Sequence, residues 1–518
     1  MLKEYILSID AGTGSCRAVL FDLLGNQVEV SQEEWNHKSL DDYSGSQIFD
    51  TQNNWKSISY CIRNVVKKAN IDPKAIKAVS STSMREGMVL YNQQGNEIWA
   101  CPNVDARADS ESRELINKGF AEEIYFESGD WVSITSPSRL MWIRNHQPQI
   151  YNKISKINML SDWILYRLSG EFVTDYSIAS SSGLLNISDR IWSKRILEIL
   201  ELDESVLPNI YDSGSIIGSV HRKASEETGL VEGTPVVVGG ADTQLALVGI
   251  GQIHSNQFTV IGGSFWQSTV VADKPIIDKE IRLRTLCHSI PDKWMVEGVG
   301  FYSGLTMRWF RDAFCDLEKK MADEQKVSSY MLMEQLARKV PPGSNGVTGI
   351  FTNVMNAKKW VHPSPSFLQF DINEPGKSGK KECIRAIQEN AAYVVNGHKQ
   401  IIEEITNNKF NDIVFTGGGA KGQLWAQIIA DVLGTVVHVP QVKESSALGA
   451  AIYGGVGIGI YNDIYSSINT KFESEFHPNS ENHERYLEFF DKWVKMNAAM
   501  YDLVEKDLTR PLWKAIGT

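Results

Sequence analysis

The sequence predicts a two-domain α/β protein in which one architecture occurs twice. Three observations lead there. With 518 residues the chain is too long for a single hydrophobic core and has material for two. Strand-like and helix-like patterns alternate along it, as in sheets covered by helices. A unit of strand, glycine turn and strand occurs at Tyr5 to Asp22 and again at Asn256 to Val271, each opening such an alternation. The division falls near residue 250, giving domains 1–250 and 251–518.

In the first hairpin the apolar run Tyr5, Ile6, Leu7 and Ile9 is one strand and Ala18 to Phe21 the other. Between them stand Asp10, Gly12, Thr13, Gly14, Ser15 and Arg17. The glycines let backbone N–H groups approach an anion, the hydroxyls add donors and Arg17 adds a positive charge, so a phosphate fits. Asp10 would repel that phosphate unless a divalent cation lay between them; Mg²⁺, which favours oxygen ligands, is the natural mediator. The turn is neither a dinucleotide fingerprint nor a GxxxxGK[ST] loop.

Trp55, Ile58, Ile62, Val65 and Ala69 recur at helical spacing, with Asp72-Pro73 as the stop. A strand over Ile76 to Val79 follows, and Arg85 and Glu86 stand just beyond it. A guanidinium and a carboxylate side by side at a strand end suit a polyhydroxylated ligand, one donating to hydroxyls and the other accepting from them. A surface ion pair is the plainer alternative. Asn103, Asp105 and Arg107 cluster in the same way. Ala108 to Ile150 reads as helical and broken by Pro137, Asp162 as a helix cap, Asp175 to Gly183 as a loop, and Leu207 to Thr234 as irregular strands and turns.

Pro235 to Val238 is a buried strand, Gly239-Gly240 a turn, and Asp242 opens an apolar helix. A carboxylate there caps the helix; it is also positioned to take a proton from a hydroxyl. The second hairpin carries Gly262, Gly263 and Ser264 at its tip. Helices follow from Thr306 and through Ile384, Ile387, Ala391 and Val394. The strand Ile413 to Thr416 runs into Gly417, Gly418, Gly419, Ala420 and then a helix beginning near Gln423. Three glycines at a strand-to-helix turn let a flat ring lie on the backbone. The charged tail from Phe472 onward reads as helical. Two phosphate-type hairpins in a duplicated chain suggest a nucleotide held between the halves.

Composition sets limits on the partners. A net charge of −11 disfavours a general nucleic-acid binder. Six scattered cysteines without a CxxC pair indicate reduced thiols in a cytoplasmic protein, not a disulfide framework or a zinc site. The first residues run into a strand without a leader pattern, and no run of about 18 apolar residues occurs, so membrane insertion is not expected.

The motifs DAGTGSCR, SMREG, GGADTQ, VIGGSF, GGGAKGQLWAQIIAD and KESSALGAAI, in this order, resemble the FGGY carbohydrate kinases over roughly residues 5–460. That family has the duplicated actin-like and hexokinase-like fold, with an interdomain cleft. Within it the stretches Ser83 to Ala108, Gly304 to Cys315 and Val340 to Val347 are most similar to the branch that phosphorylates autoinducer-2, a quorum-sensing signal. The resemblance implies ATP and Mg²⁺, with Asp10 organising the metal. Gly12, Thr13, Gly14, Ser15 and Arg17 would face phosphates, as would Gly262, Gly263 and Ser264. Arg85, Glu86, Asn103, Asp105 and Asp242 would meet the acceptor, 4,5-dihydroxypentane-2,3-dione, with Asp242 as general base. Gly418, Gly419, Ala420 and Gln423 would hold the adenosine. The chain departs from relatives in having Gly262 where many have threonine, and in lacking a tyrosine around Val132 to Pro137. Arg385 to Glu389 only loosely follows the family's second pattern. Another polyol or ketose acceptor, and a non-catalytic nucleotide- and sugar-binding regulator, stay open alternatives.

Overall fold

A computed structural model describes residues 3–442, 444–467 and 471–518; Lys443 of the KESSALGAAI motif lies outside the described residues. Strands β1 (Tyr5–Ala11) and β2 (Ser15–Asp22) form the predicted hairpin, Asp10 opposite Arg17, closed by the Gly12 N–H donating to the Ser15 carbonyl at 2.9 Å. All of β1 is buried, which is why it reads as a continuous apolar run. After β3 (Gln27–Glu34) comes helix α1 (Thr51–Ala69), capped by Asp50 and ended by Asn70 at φ 51°, ahead of Asp72-Pro73. β4 (Ile76–Ser83), β5 (Ile216–Ser219) and β6 (Pro235–Ala241) complete a six-stranded sheet in the order β5-β6-β4-β1-β2-β3.

The second sheet contains β7 (Phe258–Gly262), β8 (Trp266–Ala272), β9 (Arg284–Cys287), β10 (Trp294–Gly300), β11 (Asp412–Thr416), β12 (Val436–Pro440) and β13 (Phe472–Phe476). Its order is β9-β10-β8-β7-β11-β12-β13. From β10 onward this repeats β3-β2-β1-β4-β6-β5 strand for strand. The pairs β7–β11 and β11–β12 are parallel, as are β1–β4 and β4–β6, and the remaining pairs are antiparallel in both sheets. The duplication inferred from two hairpins is therefore written into the topology. The division proposed at residue 250 falls between the sheets.

The helices that position the site are α2 (Asp242–Gly249) after β6, then α3 (Ser303–Phe314), α4 (Ser329–Ala337) and α5 (Lys380–Thr406) before β11. α6 (Gln423–Leu433) follows β11, and α7 (Ser445–Gly457) follows β12. α2 and α7 hold equivalent places in the two halves and cross in direct contact. A Cβ on Gly449 would lie 2.0 Å from the Leu245 carbonyl oxygen, and one on Gly249 would lie 2.1 Å from that of Ser445. α7 also lies on the first sheet, where the Ser8 hydroxyl donates to the Ala447 carbonyl at 2.6 Å and Ile6, Val19 and Phe21 pack with Ala447 and Ala451.

Several local expectations are corrected. Gly239-Gly240 is no turn: both lie inside β6, where the register against β4 shifts and a Cβ at Gly239 would sit 1.8 Å from the Ser81 carbonyl oxygen. Pro137 begins the helix Ser136–His146, a first-turn position whose missing N–H has no helical partner to lose; the breaks fall at Gly119 and Gly129 instead. Asp175 to Gly183 contains the helix Tyr176–Ser181, capped by Asp175. Leu207 to Thr234 contains the helix Arg222–Thr228. Asp162 is in the first turn of Leu160–Ser169, accepting from the Met159 N–H at 3.1 Å, and is not the cap residue. Before its long helix Ser480–Glu505 the tail contributes β13. Among the described residues no helix is long and apolar enough to cross a membrane.

The α2–α7 contact yields a prediction. Gly449→Ala forces two backbones apart and is expected to lower stability by about 1–3 kcal/mol, read from the midpoint of urea unfolding. An unchanged midpoint would show that the crossing is not tight.

Candidate active site

The three parallel strands of the first sheet end level with one another, Ala11 beside Ser83 and Ser83 beside Ala241. The hairpin turn, the loop Met84 to Gly87 and the start of α2 therefore emerge together at the carboxyl edge of the sheet, the edge where open α/β sheets bind ligands. This register brings Asp10, Arg85, Glu86 and Asp242 into one region despite their separation in the chain.

The hairpin turn is braced from behind: the Trp35 indole donates to the carbonyls of Gly12 and Thr13 at 3.1 Å, and His37 Nε2 contacts the Thr13 carbonyl at 2.8 Å. Gly14 at the tip is exposed and Gly12, Thr13 and Ser15 are half-buried. Arg17 is engaged by carboxylates, 2.5 Å from Glu444 Oε2 and 3.8 Å from Asp10 Oδ2. Asp10 is 8% exposed, and among the described residues its carboxylate accepts no hydrogen bond. Burial raises its pKa against the opposing pull of Arg17, and Glu444 adds to the rise.

Asp242 is the first residue of α2, with Ala241 in the capping place. Its Oδ1 accepts from the Thr243 N–H at 2.7 Å and lies 3.7 Å from Arg85 Nε. The protein packed around it pushes its carboxyl up to about 6, opposed by Arg85 and reinforced by Asp10 and Glu86, although 34% of the side chain is open to solvent. Arg85 is not a surface residue: its two terminal nitrogens donate to Glu297 of β10 at 2.8 and 3.1 Å. Arg284 of β9 donates to Glu297 at 2.7 Å, Glu86 at 2.9 Å and Asp130 at 3.2 Å. Glu86 has φ 62°, a left-handed conformation uncommon for a side chain of its size, and Arg139 holds its carbonyl.

Of the other expected acceptor contacts, Asn103 reaches the hairpin, its Nδ2 donating to Thr13 Oγ1 at 3.1 Å. Asp105 does not face the cleft. It is 1% exposed and accepts from Arg107 Nε and the Gln47 N–H, both at 2.7 Å. The expectation for Asp105 is corrected to one of holding this loop.

The second hairpin turn and the glycine turn after β11 share a cavity of about 900 Å³, lined by Gly263, Ser264, Gly418, Gly419 and Gln423 and by Tyr330 and Glu334 of α4. Ala420, half-buried, lies in the same turn with its side chain against the hydrophobic core, and Lys421 beside it lines the cavity. Glu334 Oε1 accepts the Leu424 N–H at 2.9 Å, which ties α4 to the first turn of α6.

The model of the FGGY family of carbohydrate kinases, N-terminal domain, matches residues 5–249, and its C-terminal counterpart matches residues 267–458. The chain belongs to the FGGY family of carbohydrate kinases. It is 44% identical over 520 residues to a protein of Escherichia coli (strain K12) named autoinducer-2 kinase, covering 99% of this chain and 98% of that one. It is 43% identical over 519 residues to the protein of that name from Salmonella typhimurium (strain LT2), with the same coverage of 99% and 98%. The fold is that of a xylulose kinase from Lactobacillus acidophilus, TM-score 0.85 at 21% identity, covering 96% of this chain and 98% of that chain. It is also that of Plasmodium falciparum glycerol kinase with ADP, TM-score 0.82 at 19% identity with the same coverage. As an FGGY kinase the chain is an ATP-dependent phosphotransferase.

Sequence reasoning about this FGGY kinase missed Glu297, Arg284 and Asp130, and the α4 wall of the cavity. A signal existed for Glu297, a lone charge within the apolar strand WMVEGVG. The family departure at Gly262 has a packing cause: a Cβ there would lie 2.7 Å from the Phe415 ring. Gly262→Thr is accordingly expected to destabilise the protein by about 1–3 kcal/mol and to raise the KM for ATP without a hydroxyl's benefit. Urea unfolding and ATP titration check this, and a lower KM for ATP would refute it.

Proposed function

We propose that this chain transfers the γ-phosphoryl group of ATP to the primary C5 hydroxyl of autoinducer-2, 4,5-dihydroxypentane-2,3-dione, with Asp242 as general base. The observation that carries the chemistry is the position of Asp242. It stands at the level edge of three parallel strands, 3.7 Å from Arg85 and partly open to solvent. For the acceptor, the 44% identity over 99% of the chain to a protein named autoinducer-2 kinase is the support.

Phosphoryl transfer asks for positioning and charge neutralisation more than covalent help. In this reading the turn amides of Gly12, Thr13, Gly14 and Ser15 face the phosphates from one half and Gly263 and Ser264 from the other. Gly418, Gly419 and Gln423 hold the adenosine in the shared cavity. Arg17 meets a phosphate by exchanging Glu444 for it. Arg85, Glu86 and Asn103 orient the acceptor, and Asp242 Oδ2 takes the hydroxyl proton as the oxygen attacks. Mg²⁺ fits the residues present, since Asp10 offers a buried carboxylate without a hydrogen-bond donor; when bound it neutralises phosphate charge. Closure of the halves keeps water from the transferred group. The reaction belongs in the cytoplasm, where ATP is available, with the acceptor and ATP as partners.

The base is testable directly. Asp242→Asn keeps ATP binding while turnover falls roughly 10²- to 10⁴-fold. In the wild type, turnover falls as pH drops through about 6, because the protonated carboxyl no longer accepts the proton. Near-normal turnover of the folded variant would overturn the assignment. ADP release measured with autoinducer-2, xylulose, ribulose, fuculose and glycerol tests the acceptor: autoinducer-2 should be used fastest. A strong preference for xylulose or glycerol would replace the substrate, and acceptor-independent ADP release would remove the transfer altogether.

A further inference from the structure

Glu297 is the only charged residue in β10 and is fully buried within the second sheet, where it pairs in register with Thr269 of β8 and Arg284 of β9. An isolated carboxylate is expensive at such a site unless it is paired and hydrogen-bonded. Here it is saturated by two guanidiniums. Arg85 donates through both terminal nitrogens, at 2.8 and 3.1 Å, and Arg284 through Nε at 2.7 Å. Arg284 Nη1 then donates to Glu86 Oε1 at 2.9 Å, and Glu86 Oε1 lies 4.0 Å from Arg85 Nε. The four groups close a ring of alternating charge. Two members, Arg85 and Glu86, come from the loop after β4 in the first half; the other two come from β9 and β10 in the second.

The ring has a directional effect. With both terminal nitrogens of Arg85 held by Glu297, only the Nε edge is turned to Asp242, at 3.7 Å. With one oxygen of Glu86 held by Arg284, the direction of its carboxylate is set, and the backbone at this residue keeps a φ of 62°. Neither side chain is free to choose its own direction.

We propose that Glu297 and Arg284 are positioning residues for the acceptor. They fix the directions of Arg85 and Glu86, so that the acceptor subsite of the first half is completed by the second sheet. This rests on the reading of Arg85 and Glu86 as acceptor contacts. Fold-holding alone would predict a different result, because loss of general stability affects both substrates alike.

Glu297→Gln keeps the size of the side chain, removes its charge and leaves two guanidiniums facing one another. The expected result is a rise of roughly 10- to 10²-fold in the KM for the acceptor, the scale of a misplaced binding group, with the KM for ATP and ADP binding changed by less than about twofold. Glu297→Asp, which restores the charge one methylene short, should recover part of the loss. Arg284→Lys keeps the charge but lacks the planar fork that bridges Glu297 and Glu86, and should give the same split in smaller measure. The proposal is overturned if acceptor and ATP constants rise together, or if Glu297→Gln has the wild-type acceptor KM. If Glu297→Gln does not fold, Arg284→Lys provides the same readout; failure of both to fold also overturns the proposal, since the ring would then hold the fold and not the subsite. Absence of acceptor-dependent turnover in the wild type is a separate result, which strikes the functional reading before any variant is made.

Discussion

The crossing of α2 and α7 is the constraint on which the site depends. Two glycines, Gly249 and Gly449, let the helix backbones touch, and both helices are the elements that follow the last parallel strand of their sheets. The first residue of α2 is Asp242, and the residue before α7 is Glu444. A wider crossing would displace Asp242 and the partner of Arg17 together. The packing of small residues at the seam and the placing of charged ones in the cleft are thus one arrangement, built once and used twice by the duplication.

Electrostatics follows from that geometry. Asp10, Asp130 and Asp242 all lie in surroundings that favour the neutral carboxyl, and burial leads in each case. Arg17 opposes this at Asp10, Arg284 and Arg85 at Asp130, and Arg85 at Asp242. The hairpin has the same excess of acid over base, one guanidinium between two carboxylates. Perturbed acids gathered at a strand edge are a mark of functional sites, because such shifts need the burial and crowding that folding otherwise avoids.

Much of this was legible in the sequence where the signal is local. Both hairpins, the strand into Gly417 and the helix opening at Asp242 declare themselves through glycine beside β-branched and apolar runs. The helix Tyr176–Ser181 escaped because serine normally signals a loop; here the hydroxyls of Ser180, Ser181 and Ser182 bond back to carbonyls three residues earlier, an outlet that keeps them helical. Pro137 misled because its effect depends on position, harmless in a first turn and disruptive further in. The charge ring was out of reach for another reason. Arg85 and Glu297 are joined only by the fold, and a single charge in a strand looks the same in sequence whether it meets water or a guanidinium.

The pair formed by Arg17 and Glu444 has a mechanical side. Arg17 belongs to the first sheet, and Glu444 stands at the threshold of α7, whose strand precedes it in the second. Their contact ties the first hairpin to the leading end of that helix. In the proposed reading, a ligand oxygen that engages Arg17 competes with Glu444 for its charge, and so acts on the leading end of the very helix that forms the seam. What occupies the hairpin and how the seam is held are thereby coupled through one ion pair.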